Sequence, residues 1–244
     1  MNTNITVEIC VENLAGAKAA VETGVPRIEL CSALDIGGVT PDAALLESVL
    51  ALPIETVVLI RPRAGDFVYD ADEVKLMQRS IELARAQGAR AFAIGALNPD
   101  GSIDETCTAK LVTAAGDSTL CFHRAFDGVS DAIGSLQVLT NLGITRLLTS
   151  GQKQDAWAGA PLIAQLIEAA PASLEIMPGG GVRANTIGEI LEITGAQQIH
   201  FSARAQFPSP MKHANPACDL HAPENRTRHQ TTAQEIERYL AKVP

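Results

Sequence analysis

Short β-type runs and longer runs with helical spacing of apolar residues alternate along the whole chain. Strands are predicted over 5–10, 27–31, 55–61, 91–95, 119–123, 146–149, 174–178 and 198–202. Helices are predicted over 11–23, 41–50, 71–87, 103–115, 131–142, 160–169, 185–194 and 231–241. The punctuation agrees. Thr40 is placed to cap a helix with Pro41 in its first turn, and Asp70 with Glu73 has capping-box spacing. Gly24, Gly88, Gly143 and Gly195 stand just beyond predicted helix ends, where a left-handed residue closes the last turn. Strict βα alternation implies a parallel sheet covered by helices. Eight such units in 244 residues predict the α/β class and a (β/α)8 TIM barrel. A doubly wound open sheet would carry a glycine-rich phosphate turn after its first strand, but the residues there are Cys10-Val11-Glu12-Asn13. No Pro/Gly/Ser linker divides the chain before the eighth strand, so residues 1–244 are read as a single domain. Residues 203–230 depart from the pattern. Four Pro, three His and little periodicity predict a long irregular segment before the last helix, on the face where barrel sites form.

The strands themselves carry the functional signal. Parallel strands buried on both faces ordinarily read as continuous apolar runs. Here Glu8 and Cys10 alternate with Val7 and Ile9, Arg27, Glu29 and Cys31 with Ile28 and Leu30, and Cys121 and His123 with Leu120 and Phe122. Glu175 and Met177 alternate with Leu174 and Ile176, and Gln198, His200 and Ser202 with Ile199 and Phe201. Side chains alternate faces along a strand, and the outward set must meet the helices. The polar set therefore points into the barrel. Unpaired buried charge costs several kcal/mol, so these groups must pair with one another, reach water or bind something. An internal network that only fixes register is one outcome. A site at the carboxyl ends of the strands is the other.

Composition narrows the classes of partner. The chain has 19 Lys+Arg against 28 Asp+Glu and a formal charge of −9. That balance argues against a nucleic-acid surface. Apolar runs such as 56–60 are too short to span a bilayer, so no membrane partner is expected. Met1-Asn2-Thr3-Asn4 has neither a basic nor an apolar leader, and a cytoplasmic location is expected. The five Cys are irregularly spaced with no CxxC pair, so no disulfide framework or zinc knuckle is signalled. No nucleotide-cofactor fingerprint is present.

Loop motifs add to the strand-end residues. Arg61-Pro62-Arg63 sets two guanidiniums on a stiff turn suited to a carboxylate or phosphate. His123-Arg124-Ala125-Phe126-Asp127 offers base, cation and acid within five residues, with a helix-cap role for Asp127 equally open. Thr149-Ser150-Gly151 ends the sixth strand with two hydroxyls. Gly179-Gly180-Gly181 ends the seventh, where a backbone nest could hold an anion. Cys10 and Cys31 are read at matching positions on neighbouring strands, close enough for their thiols to meet, although two small buried Cys would look the same.

Several of these strings resemble a known family. Arg27-Ile28-Glu29-Leu30-Cys31, Gly37-Gly38-Val39-Thr40-Pro41, Arg61-Pro62-Arg63-Ala64-Gly65-Asp66-Phe67, Phe122-His123-Arg124-Ala125-Phe126-Asp127, Leu148-Thr149-Ser150-Gly151-Gln152 and Gly179-Gly180-Gly181-Val182-Arg183 are similar, in order and spacing, to motifs of the CutC family. The resemblance runs from about residue 5 to about 215. It implies a cytoplasmic (β/α)8 barrel tied to copper homeostasis and often oligomeric, for which a homodimer is expected. Glu8, Arg27, Glu29, Cys31, Arg61, Arg63, His123, Arg124, Asp127 and His200 fall on its motif positions. Ala64 stands where the family usually has Gly, and Phe201 where a small residue is usual, although its parity turns it outward.

Three functions follow as expectations. The resemblance implies copper homeostasis, with Cu(I) bound through Cys10 and Cys31 as soft thiolates. The residues alone suggest a lyase, isomerase or hydrolase acting on a small anionic or phosphorylated substrate. In that reading Glu8 or Glu29 with His123 or His200 exchange protons. Arg61 and Arg63 clamp the anion with Arg27, Arg124, Asp127, Thr149 and Ser150 near it, and Gly179, Gly180 and Gly181 with Ser202 hold a phosphate. A non-catalytic binding or scaffold barrel is the third.

Overall fold

In the computed structural model, which describes residues 5–213, 215, 217 and 227–244, eight parallel strands are each followed by a helix. The strands are β1 (Thr6–Val11), β2 (Arg27–Leu30), β3 (Glu55–Leu59), β4 (Ala91–Ile94), β5 (Thr119–Phe122), β6 (Arg146–Thr149), β7 (Glu175–Pro178) and β8 (Gln198–Phe201). The helices are α1 (Leu14–Glu22), α2 (Ala43–Leu50), α3 (Ala71–Ala86), α4 (Glu105–Ala115), α5 (Ala132–Asn141), α6 (Ala160–Ala169), α7 (Ile187–Thr194) and α8 (Ala233–Leu240). Ladders run in the order β7-β6-β5-β4-β3-β2-β1-β8. The strands thus form a nearly closed (β/α)8 barrel, with β7 and β8 packed side by side at the seam. Gly179 suits that seam, because a Cβ there would lie 2.4 Å from Leu148 and 3.0 Å from His200. Among the described residues no helix is long and apolar enough to cross a membrane.

The two faces of the strands make two cores. Outward residues such as Ile9, Ile28, Leu30, Phe92, Phe122 and Ile199 are buried against the helices. Inside the barrel lies a smaller cluster that includes Cys10, Cys31, Val57, Leu59, Cys121 and Leu148. Burial of this apolar area is the main favourable contribution to the fold.

Local signals largely hold. Asp70 and Glu73 form the reciprocal capping box of α3. Gly24, Gly88, Gly143 and Gly195 all have positive φ. Thr40 does not cap α2. That role falls to Asp42, which accepts from the N–H groups of Ala44 and Leu45, because Thr40 is engaged with the backbone of Arg61 across the loop. Residues 203–230 are not wholly irregular. Arg204–Pro208 (β9) and Thr227–Thr231 (β10) pair as an antiparallel hairpin. Cys218 lies outside the described residues.

Candidate functional site

A cavity of about 270 Å³ opens at the carboxyl ends of the strands. Cys10, Glu29, Leu59, Leu148 and His200 reach it from β1, β2, β3, β6 and β8, and His123 from the residue after β5. The polar parity of the strands therefore delivers one acid, two imidazoles and a thiol to one hollow. Glu175 is an exception. It is exposed at the amino end of the barrel, where it accepts from Gln198 and neighbours Arg146.

Below the cavity the charges are tightly paired. One oxygen of Glu8 accepts from Arg27 Nε, and the other meets His200 Nδ1 at 2.8 Å. Arg27 also donates to Gln198 Oε1 and touches the sulfur of Met177. Burial alone would push the Glu8 carboxyl up. The hydrogen bond and charge of His200, with the charge of Arg27, outweigh it and hold Glu8 below the usual carboxylate range. Burial likewise opposes a charge on His200, but its bond to Glu8 and the nearby Glu29 raise its pKa above the ordinary value. Burial dominates at Glu29 and raises its pKa, with His200 Nε2 3.8 Å away as a partial offset. Glu8 is thus a fully occupied brace, whereas Glu29 faces the cavity.

The thiols do not stand at matching register. Cys10 lies opposite Glu29, and Cys31 sits two residues farther along, past the end of β2. The barrel's strand stagger causes the offset. Their sulfurs still approach to 3.7 Å, and Cys10 Sγ lies 3.3 Å from Glu29 Oε2. Ligand atoms of Cys10, Glu29 and His200 all fall within 4.8 Å of one another. Two sulfurs sharing one ion at ~2.3 Å each can stand up to ~4.6 Å apart, so the thiol pair fits a soft metal ion. The contact with Cys31, followed by burial, pushes the Cys10 thiol well above its ordinary pKa. An incoming metal must therefore displace a proton.

The rim residues divide. Asp127 is saturated. It accepts from Thr149 Oγ1 at 2.6 Å, from the Ser150 N–H at 2.9 Å, from Ser150 Oγ and from Arg124 Nε. Thr149, Ser150 and Asp127 therefore tie the loops after β5 and β6 together. Gly180 (φ +92°) lies under Arg124, where a Cβ would come within 2.7 Å of the guanidinium. Gly180, Gly181 and Ser202 line the cavity, but Gly179 packs at the seam. Arg61 and Arg63 are not brought together. Arg61 is buried and donates to the carbonyls of Ile36, Gly38 and Gly65. Past Pro62 the chain turns outward, and Arg63 pairs with Glu73 and Asp66.

Sequence reasoning missed Arg204, which lines the cavity and pairs with Asp35 at 2.7 Å and Glu12 at 3.5 Å. Nothing in the irregular composition around it marked it. It also missed Gln198 as the partner of Arg27, although strand parity had already turned that residue inward. Phe67 packs on both His123 and Arg61.

The CutC family model matches residues 5–205. A CutC family protein of Glaesserella parasuis is 43% identical over 206 residues, covering 84% of this chain and 85% of its own. The copper homeostasis protein cutC homolog of Mus musculus is 43% identical over 210 residues, covering 86% and 77%. Among solved structures, CutC from Streptococcus agalactiae superposes with a TM-score of 0.77 at 33% identity, covering 81% of this chain and 98% of that one.

Proposed function

Because the chain belongs to the CutC family, we propose that it is a cytosolic copper-homeostasis protein that binds Cu(I) through Cys10 and Cys31. The observation that carries this reading is the 3.7 Å approach of two buried thiols, of which Cys10 lines an open cavity. Thiolates are the soft donors that favour Cu(I), and the mouse relative is named for copper homeostasis. His200 and Glu29 stand in the same cluster, with the His200 ring oriented from below by Glu8. The chain acts as one domain and assembles as a homodimer, which light scattering on the purified protein checks.

The test is an anaerobic titration of reduced protein with Cu(I) against a competing chelator. Wild type is expected to hold one ion, and Cys10→Ser/Cys31→Ser to lose it to the chelator. Equal retention by both proteins would overturn the assignment.

A further inference from the structure

The cavity has a second polar corner, formed by residues that the copper reading does not use. There Arg61 is a buried guanidinium, 6% exposed, whose bonds all go to neutral carbonyls. Its Nε has no partner. Among the described residues it forms no ion pair. The other two cavity arginines are matched, Arg124 by Asp127 and Arg204 by Asp35 and Glu12. A buried cation without a counter-charge is costly unless something supplies one.

His123 stands beside it, 4% exposed and lining the same cavity. Its Nδ1 accepts the Ala125 N–H at 3.1 Å, so the proton of the neutral ring sits on Nε2. That donor also lacks a partner and is shielded from solvent. Phe67 packs on both groups, 5.2 Å from the imidazole centroid and 5.1 Å from the guanidinium carbon. Two orphaned donors, one of them cationic, thus share one aromatic-backed corner. A buried donor left without a partner is destabilising. Both deficits are met at once by one small anion.

We infer that this corner is a binding subsite for a small carboxylate or phosphate group, held by Arg61 and His123 rather than by an Arg61–Arg63 clamp. Its negative charge completes Arg61, and its oxygens accept from the imidazole N–H. The subsite includes neither Cys10 nor Cys31, and it does not depend on metal binding.

The experiment is a thermal-unfolding titration of the metal-free full chain with malonate and, separately, inorganic phosphate, against chloride at equal ionic strength. A ligand that binds only the native state raises the melting temperature with concentration. At least one of the two probes is expected to do so beyond chloride, and which one does distinguishes carboxylate from phosphate chemistry. His123→Phe keeps the ring but removes the donor, and is expected to weaken the response by about tenfold. Should that variant not fold, Arg61→Lys is read the same way. Arg63→Gln, whose guanidinium pairs with Glu73 and Asp66 away from the corner, is expected to respond as wild type does. The proposal is overturned if neither probe exceeds chloride. It is equally overturned if His123→Phe or its substitute binds as wild type does, or if the response vanishes with Arg63→Gln.

Discussion

The interior of this barrel has two unlike sectors. Strands β8, β1 and β2 contribute His200, Gln198, Glu8, Cys10, Arg27 and Glu29. Strands β3 to β7 contribute Val57, Leu59, Ala91, Ala93, Cys121, Leu148 and Met177. The second sector follows the usual rule for barrels, an apolar packed centre. The first departs from it and survives because its deepest charges are completely paired. Both oxygens of Glu8 are used, and Arg27 binds an acid and an amide. Groups nearer the mouth are less satisfied: the Glu29 carboxylate, the thiols, Arg61 and His123. Incomplete pairing at the open end, above complete pairing below, separates a binding site from a structural network.

Substitutions can break or sharpen this contrast. The largest effect is expected from Glu8→Ala, which leaves the buried Arg27 guanidinium and the His200 ring without their shared acceptor and should cost about 3–5 kcal/mol in denaturant unfolding. A loss under about 1 kcal/mol would mean the polar sector is not braced by that carboxylate. Asp127→Ala removes the charged acceptor that joins the β5 and β6 loops, and about 2–3 kcal/mol should follow. A nearly neutral result would free Thr149 and Ser150 for ligand rather than for the loops.

His123, a lone imidazole in the apolar sector, sharpens the comparison through pH. Burial, then the charge of Arg61, drops its pKa from the ordinary 6.5 to about 3. Between those values the unfolded chain binds a proton that the native chain refuses. Stability therefore falls as pH drops from 6.5 toward 3, by up to about 1.4 kcal/mol per pH unit. His123→Phe should flatten that slope relative to wild type, and parallel stability–pH curves would contradict the assignment. Smallest of all, Leu148→Met preserves volume in the apolar sector and should change stability by under about 1.5 kcal/mol. A larger loss would show that this sector is as tightly specified as the charged one.

Much of this was legible in the chain itself. Period-two alternation in β1, β2, β5 and β8 announced which groups turn inward, because the helices outside leave no other place for Ile9, Ile28 or Phe122. What escaped prediction depended on geometry that local pattern does not encode. Stagger between neighbouring strands moved Cys31 past Cys10 yet left their sulfurs in reach. Arg61 and Arg63 share parity on paper, but β3 ends at Leu59 and the turn at Pro62 sends the second guanidinium to Glu73. Thr40 was drawn from its expected cap by a tertiary bond to Arg61. The β9–β10 hairpin pairs strands far apart in sequence, with no tight-turn signal between them, and Arg204 came into the cavity with it.

X-ray absorption at the copper edge, on anaerobic protein loaded with one equivalent of Cu(I), tests the central claim most directly. The thiol pair predicts two sulfur scatterers around the metal, reduced to one in either Cys10→Ser or Cys31→Ser. A shell of nitrogen and oxygen alone, or a spectrum that neither substitution alters, would contradict it.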